Sequence, residues 1–351
     1  MRVASDPFMK IANFDTHDFE RKYLAEAAKH YGHAITYIGE RLSFKTAGLA
    51  EGHPVVCAFV NDSVDEQVLR TLKDLGVRLI ALRSAGFNNV DLPVAAELGL
   101  PVVRVPEYSP YAVAEHAVAL ILALNRKISK GQFRVKQGNF SLSGLLGFDL
   151  HGKTVGVVGT GKIGSAFARI MSGFGCRVLA MDSLKKPELI TDFGVKYVDM
   201  ERLLRESDII SLHVPLTPKT RHLINSRAFE LMRPGVMLIN TGRGALIETR
   251  ALIRALKTHH VGYAGLDAYE EEENVFFQDL SEEVLQDDLL ARLLMFPNVL
   301  ITAHQGFLTE EALLAIAETT MANVSEFEQG KALTNEIIAE EHWKDARAKV
   351  A

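Results

Sequence analysis

Short runs of β-branched and other apolar residues alternate with amphipathic stretches from one end of the chain to the other. A first series predicts strands over residues 11–14, 35–38, 55–60, 78–82 and 102–105. A second predicts strands over 154–158, 177–181, 209–214, 236–240, 263–266 and 299–303. Between the early strands, residues 66–75 read as a helix that stops at Gly76. Strand and helix in regular turn imply parallel sheets joined by crossover helices. The strands are apolar nearly throughout, as expected for sheets covered on both faces.

Two series imply two α/β domains, Rossmann-like or flavodoxin-like, with a cleft between them. A long helical stretch over 112–128, after Pro110, is placed to join them, and its apolar side is a candidate subunit interface. The last predicted helix, 310–329, sets Leu313, Ile316, Ala317, Met321 and Val324 on one face. Thr309 is its natural N-cap and Gly330 its stop, and it is expected to pack back onto the first domain. The first strand is expected to begin at Lys10, leaving residues 1–8 as a frayed extension.

A length of 351 residues fits two domains better than one core. With 48% apolar and 24% charged residues, the composition is that of a globular protein. A net charge of −5 gives no electrostatic footprint for nucleic acid or an anionic membrane. The longest apolar run, residues 117–124, is far short of a membrane span, and residues 1–14 lack the apolar core of a secretory signal. Two cysteines, Cys57 and Cys176, make no disulfide framework and point to a reducing compartment, the cytoplasm.

The strongest local motif is Gly159-Thr160-Gly161-Lys162-Ile163-Gly164, directly after a predicted strand and at the start of a helix. Its glycines serve a tight turn, close approach of backbone to a pyrophosphate, and helix–strand packing. The helix start offers unpaired N–H groups and a positive dipole end. The next strand ends at Asp182, 21 residues past Gly161, the spacing of a carboxylate that binds ribose hydroxyls. The plainer alternative is an ordinary βα turn with a solvated Asp182. Turn, context and acid together point to a dinucleotide. The negative charge favours NAD over NADP, which would set a 2′-phosphate against it. Lys185 and Lys186 work slightly the other way and read as a solvated loop. About 150 residues precede the motif, so a whole domain comes first.

Hydride chemistry on a 2-oxoacid needs a cation for the carboxylate, an acid for the carbonyl oxygen and a carboxylate to hold that acid protonated. Arg243, in Asn240-Thr241-Gly242-Arg243-Gly244, and His304 both follow predicted strands of the second series. Taken alone, each is ambiguous, since His116, His213, His259 and His260 are also present. The run Glu270, Glu271, Glu272 and Glu273 supplies carboxylates, and composition does not choose among them. No metal site is read in the sequence.

These stretches, with Gly265-Leu266-Asp267-Ala268-Tyr269-Glu270 and Ala303-His304-Gln305, resemble the D-isomer-specific 2-hydroxyacid dehydrogenases, and most of all the bacterial fermentative D-lactate enzymes among them. Further matching stretches are Ser84-Ala85-Gly86-Phe87-Asn88-Asn89-Val90-Asp91, Val105-Pro106-Glu107-Tyr108-Ser109-Pro110, Ala114-Glu115-His116-Ala117, and residues 274–288 with Phe276-Phe277 and Gln286-Asp287-Asp288. The resemblance implies NADH-dependent reduction of pyruvate to D-lactate, with Arg243, Glu272 and His304 as the catalytic triad. It implies that the backbone N–H groups of Ala85 and Gly86 receive the substrate carboxylate, while Tyr108 and Phe307 shape the pocket. It assigns Val214, Pro215, Thr220, Thr241, Gly242 and Asp267 to the cofactor, beside Gly159, Gly161, Lys162, Ile163, Gly164 and Asp182.

It also implies a substrate domain of residues 1–107 plus 306–351, an NAD domain of 108–305, and a homodimer or homotetramer. Gly242 departs from the Ser or Ala usual there, and its extra freedom is expected to loosen Arg243. Only 47 residues follow His304, too few for the regulatory module of a phosphoglycerate dehydrogenase. Glyoxylate or a larger 2-oxoacid as substrate, and a non-catalytic NAD(H)-sensing corepressor of the same fold, are the alternatives.

Overall fold

The computed structural model describes residues 9–272 and 275–338. The expected extension 1–8, and Glu273 and Asn274, lie outside the described residues. The chain forms two compact units: residues up to Ser109 together with those from Thr309 onward, and Pro110–Leu308. Both crossings fall at helix starts. Pro110 is the first residue of a helix, where its missing N–H costs nothing, and the Thr309 side chain caps the other by accepting from Ala312 N–H. The expected boundaries, after 107 and after 305, lie a few residues short of these.

The first unit runs β1 (Met9–Asn13), α1 (Asp18–Tyr31), β2 (His33–Tyr37), β3 (Val55–Ala58), α2 (Glu66–Asp74), β4 (Leu79–Leu82), α3 (Leu92–Glu97) and β5 (Val102–Val103). Its five strands are parallel in the order β2-β1-β3-β4-β5. The two-residue period of a strand sends Val55 and Cys57 to one face and Val56 and Ala58 to the other, and all four are buried. On the first face they meet Leu24 and Ala27 of α1 and Met321 and Val324 of the C-terminal helix; on the second, Val68, Leu69 and Leu72 of α2.

The second unit runs α4 (Pro110–Arg126), α5 (Ile128–Lys136), β6 (Thr154–Val158), α6 (Lys162–Gly173), β7 (Arg177–Met181), α7 (Pro187–Phe193), β8 (Lys196–Tyr197), α8 (Met200–Glu206) and β9 (Ile209–Leu212). It continues with α9 (Ser226–Leu231), β10 (Val236–Asn240), α10 (Thr249–Lys257), β11 (Val261–Leu266), α11 (Asp288–Leu294) and β12 (Val299–Ile301), and α12 (Glu310–Glu328) returns the chain to the first unit. The seven strands are parallel in the order β12-β11-β10-β9-β6-β7-β8. Strand order reverses between β6 and β9, and such a switch point opens a crevice at the carboxyl ends of the strands.

Two sequence expectations change here. The short strand β8 was not expected; it has no apolar run of its own and exists by pairing with β7. The apolar side of α4 is not a surface: Ala114, Ala117, Leu120, Ile121 and Leu124 are buried inside the second unit, where α4 packs on α6, β10 and β11. A run of exposed apolar side chains falls just after it, at Ile128, Phe133, Phe140, Leu142 and Leu146. Among the described residues no helix is long and apolar enough to cross a membrane.

Candidate active site

The turn between β6 and α6 is built by two glycines. Gly159 has φ +93°, and a Cβ there would lie 2.8 Å from the His213 carbonyl oxygen. A Cβ on Gly164 would collide with the Gly159 carbonyl, so helix and strand meet at van der Waals distance only because it is absent. Gly161, by contrast, faces open space. Lys162, Ile163 and Gly164 form the first turn of α6, with their N–H groups at the positive end of the helix.

Asp182 follows β7 and is pinned beneath this turn. One carboxylate oxygen accepts the Thr160 N–H at 2.6 Å and the other the Leu184 N–H at 2.9 Å. Burial alone would raise its pKa, but these N–H groups outweigh burial and hold the carboxyl below its ordinary range. The Tyr197 hydroxyl, on the unforeseen strand β8, braces Thr160 at 2.9 Å. Lys186 turns away onto Ser165 Oγ at 3.0 Å. Lys185 lines a cavity of about 390 Å³ beside Asp182 and Arg202.

Val214 and Pro215 follow β9 across the switch point, and the Thr220 hydroxyl fastens that loop by donating to the Pro215 carbonyl at 2.6 Å. Thr241 is buried, and its Oγ has no hydrogen-bond partner among the described residues. An open turn, a fixed anion after the neighbouring strand and an orphaned hydroxyl form a donor and acceptor set that suits a dinucleotide.

Arg243, Glu272 and His304 follow β10, β11 and β12, three strands adjacent in the sheet, so their loops leave side by side. His304 Nδ1 lies 2.8 Å from Glu272 Oε1, and Glu272 Oε2 accepts the Tyr269 N–H at 2.8 Å. Both side chains are 17% exposed, enough to meet a ligand. A proton on Nδ1, facing the carboxylate, leaves Nε2 as the working nitrogen. The His304 backbone has φ +53°, a strained conformation for a residue with a side chain. Asp267 holds it there. Its carbonyl accepts the His304 N–H at 2.9 Å, and its carboxylate accepts the N–H groups of Gln305 and Gly306.

The same carboxylate takes the Thr302 hydroxyl and lies 3.2 Å from His116 Nε2. Burial is opposed by the hydrogen bonds of His116 and Thr302, so the Asp267 carboxyl is lowered. At 1% exposed it faces the protein, and its visible work is bracing the His304 turn.

The four glutamates separate by geometry. Glu270 bonds His222 at 2.5 Å and Thr249 Oγ at 2.9 Å, Glu271 is exposed, Glu273 lies outside the described residues, and Glu272 meets His304. A Cβ on Gly244 would collide with the backbone of Tyr269, which presses the Arg243 loop against the Glu272 loop. Arg243 is half-buried. It donates to the Gly242 carbonyl at 2.9 Å, and the rest of its guanidinium has no acceptor among the described residues.

Gly242 is tied into this turn. Its N–H donates to Asn240 Oδ1 at 3.1 Å, while Asn240 Nδ2 donates to the Arg243 carbonyl at 2.9 Å. Phe307 is buried three residues after His304. Ala85, Gly86 and Tyr108 belong to the first unit, the first two in the turn after β4. Sequence reasoning missed the bracing roles of His116, Thr302, His222 and Tyr197. Their only signal was polar character within apolar surroundings. Among the described residues no group of His, Cys, Asp or Glu is arranged to hold a metal ion.

Residues 118–306 match the family model of the D-isomer specific 2-hydroxyacid dehydrogenase, NAD binding domain. The chain is 50% identical over 330 residues to the D-lactate dehydrogenase of Escherichia coli (strain K12), covering 94% of this chain and 100% of that protein. The solved pyruvate reductase of Chlamydomonas reinhardtii shares 44% identity with a TM-score of 0.89, covering 94% of this chain and 99% of that one. The D-lactate dehydrogenase with NAD+ from Lactobacillus jensenii shares 34% identity with a TM-score of 0.79, covering 94% and 100%.

Proposed function

The chain belongs to the D-isomer-specific 2-hydroxyacid dehydrogenase family and takes NAD as its cofactor, and from that premise we propose that it reduces pyruvate to D-lactate. The observation that carries the reading is the His304–Glu272 pair at the carboxyl end of the NAD-binding sheet, with Arg243 on the neighbouring strand end. When bound, NADH supplies the hydride that reduces C2 of the 2-oxoacid. Arg243 receives the substrate carboxylate with its unengaged donors, for which the planar guanidinium fork is suited. His304 Nε2 delivers the proton to the carbonyl oxygen, and Glu272 stabilises the charged imidazole before transfer. The N–H groups of Ala85 and Gly86 take the carboxylate from the first unit, which makes that unit the substrate domain. Tyr108 and Phe307 limit the size of the 2-oxoacid. Thr241 and Asp182 hold the cofactor.

The test is loss of NADH absorbance with a panel of 2-oxoacids, followed by chiral analysis of the product. Pyruvate is expected to be preferred and the product to be D-lactate. A clear preference for glyoxylate or a branched 2-oxoacid refutes the substrate assignment, and tight NADH binding without turnover of any 2-oxoacid favours a sensor. Pyruvate turnover unchanged in His304→Ala removes the acid role. We assign the subunit contact of a homo-oligomer to the exposed apolar side chains around Phe140, Leu142 and Leu146. Light scattering of a Leu142→Glu variant tests it, with a shift to monomer expected. We place the enzyme in the cytoplasm, where Cys57 and Cys176 stay reduced, as free thiols.

A further inference from the structure

In the first unit, the turn after β4 is gripped from one direction. The Val105 N–H donates to the Ser84 carbonyl at 3.0 Å. The Arg104 guanidinium donates to the next carbonyl, that of Ala85, at 2.8 Å. Along a strand, consecutive carbonyls point to opposite sides. Here two in a row are drawn to residues 104–105. A trans peptide carries its N–H opposite its C=O. The N–H groups of Ala85 and Gly86, partners of those two carbonyls, therefore leave the turn together on the side away from Arg104. Two successive N–H groups presented on one side of a turn can take the two oxygens of a carboxylate.

Arg104 is itself held in place. Its N–H donates to the Asn335 carbonyl at 3.1 Å, and its carbonyl accepts from Asn323 Nδ2 at 2.9 Å. Asn335 Nδ2 in turn donates to Asn323 Oδ1 at 2.8 Å, so α12 and the segment that follows it set the backbone of residue 104. The guanidinium lies 5.1 Å over the ring of Phe87, in the same turn. It is half-buried, and no carboxylate comes within ion-pair distance of it among the described residues. Its charge is directed at a carbonyl and a ring, both belonging to the turn it supports.

We propose that Arg104 is a positioning residue for substrate binding: by holding the Ala85 carbonyl it aims the Gly86 N–H at the 2-oxoacid carboxylate and polarises the peptide that carries it. This rests on the reading that Ala85 and Gly86 receive that carboxylate. It assigns Arg104 no contact with substrate, because the guanidinium lies on the carbonyl side of the peptide.

The experiment uses the full-length enzyme with Arg104→Met, Arg104→Lys and Gly86→Pro. Each is measured for KM of pyruvate, kcat, NADH affinity by fluorescence, and Tm. Weaker uniform binding raises KM and spares kcat, so Arg104→Met is expected to raise KM about tenfold with kcat within about threefold. NADH affinity is expected to stay unchanged. Arg104→Lys, a point donor without the stacked plane, is expected to fall between wild type and Arg104→Met. Wild-type KM in Arg104→Met, or a fall in kcat at constant KM, overturns the proposal. If Arg104→Met fails to fold, Arg104→Lys carries the test, and an unchanged KM there overturns it equally. Gly86→Pro deletes the N–H itself. A raised KM in Gly86→Pro with a silent Arg104→Met removes Arg104 and keeps the carboxylate reading. An unchanged KM in Gly86→Pro removes that reading and the proposal with it.

Discussion

Two arginines at the carboxyl ends of the two sheets do opposite work. Arg83, the residue after β4, is 1% exposed. Its donors reach both Glu20 oxygens at 2.9 and 3.0 Å and the carbonyls of Phe14, Asp15 and Cys57. Burial works against its charge, yet Glu20 and the neighbouring groups hold its pKa above the ordinary value. Arg243, after β10, has one backbone partner and a half-exposed guanidinium. A cation whose donors are all taken by protein is part of the framework, and one with donors to spare at a sheet's carboxyl end is available to a ligand. Residue type is the same in both, and saturation separates them.

Substitution sharpens the contrast most at the arginines themselves. Arg243→Gln is expected to lower kcat/KM for pyruvate about a thousandfold, with Tm and NADH affinity unchanged. Arg83→Met is expected to destabilise by about 3–5 kcal/mol, because Glu20 is left buried without its partner, while the folded fraction keeps its kcat. Chemical denaturation and steady-state kinetics on the two variants decide it, and a catalytic defect in a stable Arg83→Met breaks the contrast.

Next come the two glutamates. Glu272→Gln is expected to lower the rate of reduction about a hundredfold and to move its pH profile to lower pH. Glu270→Gln is expected to leave the profile alone and to cost about 1–2 kcal/mol of stability, since it unties His222 and Thr249. An unmoved profile in Glu272→Gln refutes the choice among the four.

A smaller effect is expected at Asp62, a buried carboxyl of the first unit. Burial pushes the Asp62 carboxyl up to about 7 from an ordinary 3.8, against the N–H groups of Phe59 and Leu42. Between those values the folded chain keeps a proton that the unfolded chain has released. Its contribution to stability is therefore full below about pH 4 and is lost as pH rises toward 7. Urea melts of Asp62→Asn at pH 5 and pH 8 are expected to differ less than those of the wild type. The smallest change is expected from Gly242→Ser. A Cβ there meets nothing nearer than 3.5 Å, so kcat/KM is expected to stay within about twofold. A large gain would mean that the glycine does loosen Arg243.

The sequence expressed some of this plainly and some not at all. The glycine turn and Asp182 were legible because the signal is contiguous and its spacing is set by one strand and one helix. The predicted strands over 154–158, 177–181 and 236–240 coincide with β6, β7 and β10, whose apolar runs need no partner to be recognised. Strand β8 was invisible, since two residues such as Lys196 and Tyr197 become a strand only through a neighbour. The apolar stripe of α4 was legible as a stripe, but its destination was not, because a buried face and an interface have the same composition.

The order of the residues was enough to establish two parallel α/β units, a dinucleotide turn and a short set of charged and imidazole groups, all of which depend on periodicity or on neighbours in the chain. The contact that sets Glu272, and not its neighbours in the run, against His304 belonged to the folded molecule, as did the saturation of Arg83, the inward turn of Asp267 and the lock that Asn240 places on Gly242. Hydrogen bonds form between groups a few ångströms apart in space. Glu272 and His304 are 32 residues apart in the chain, and Glu270 and Glu272 differ only in where the loop turns them.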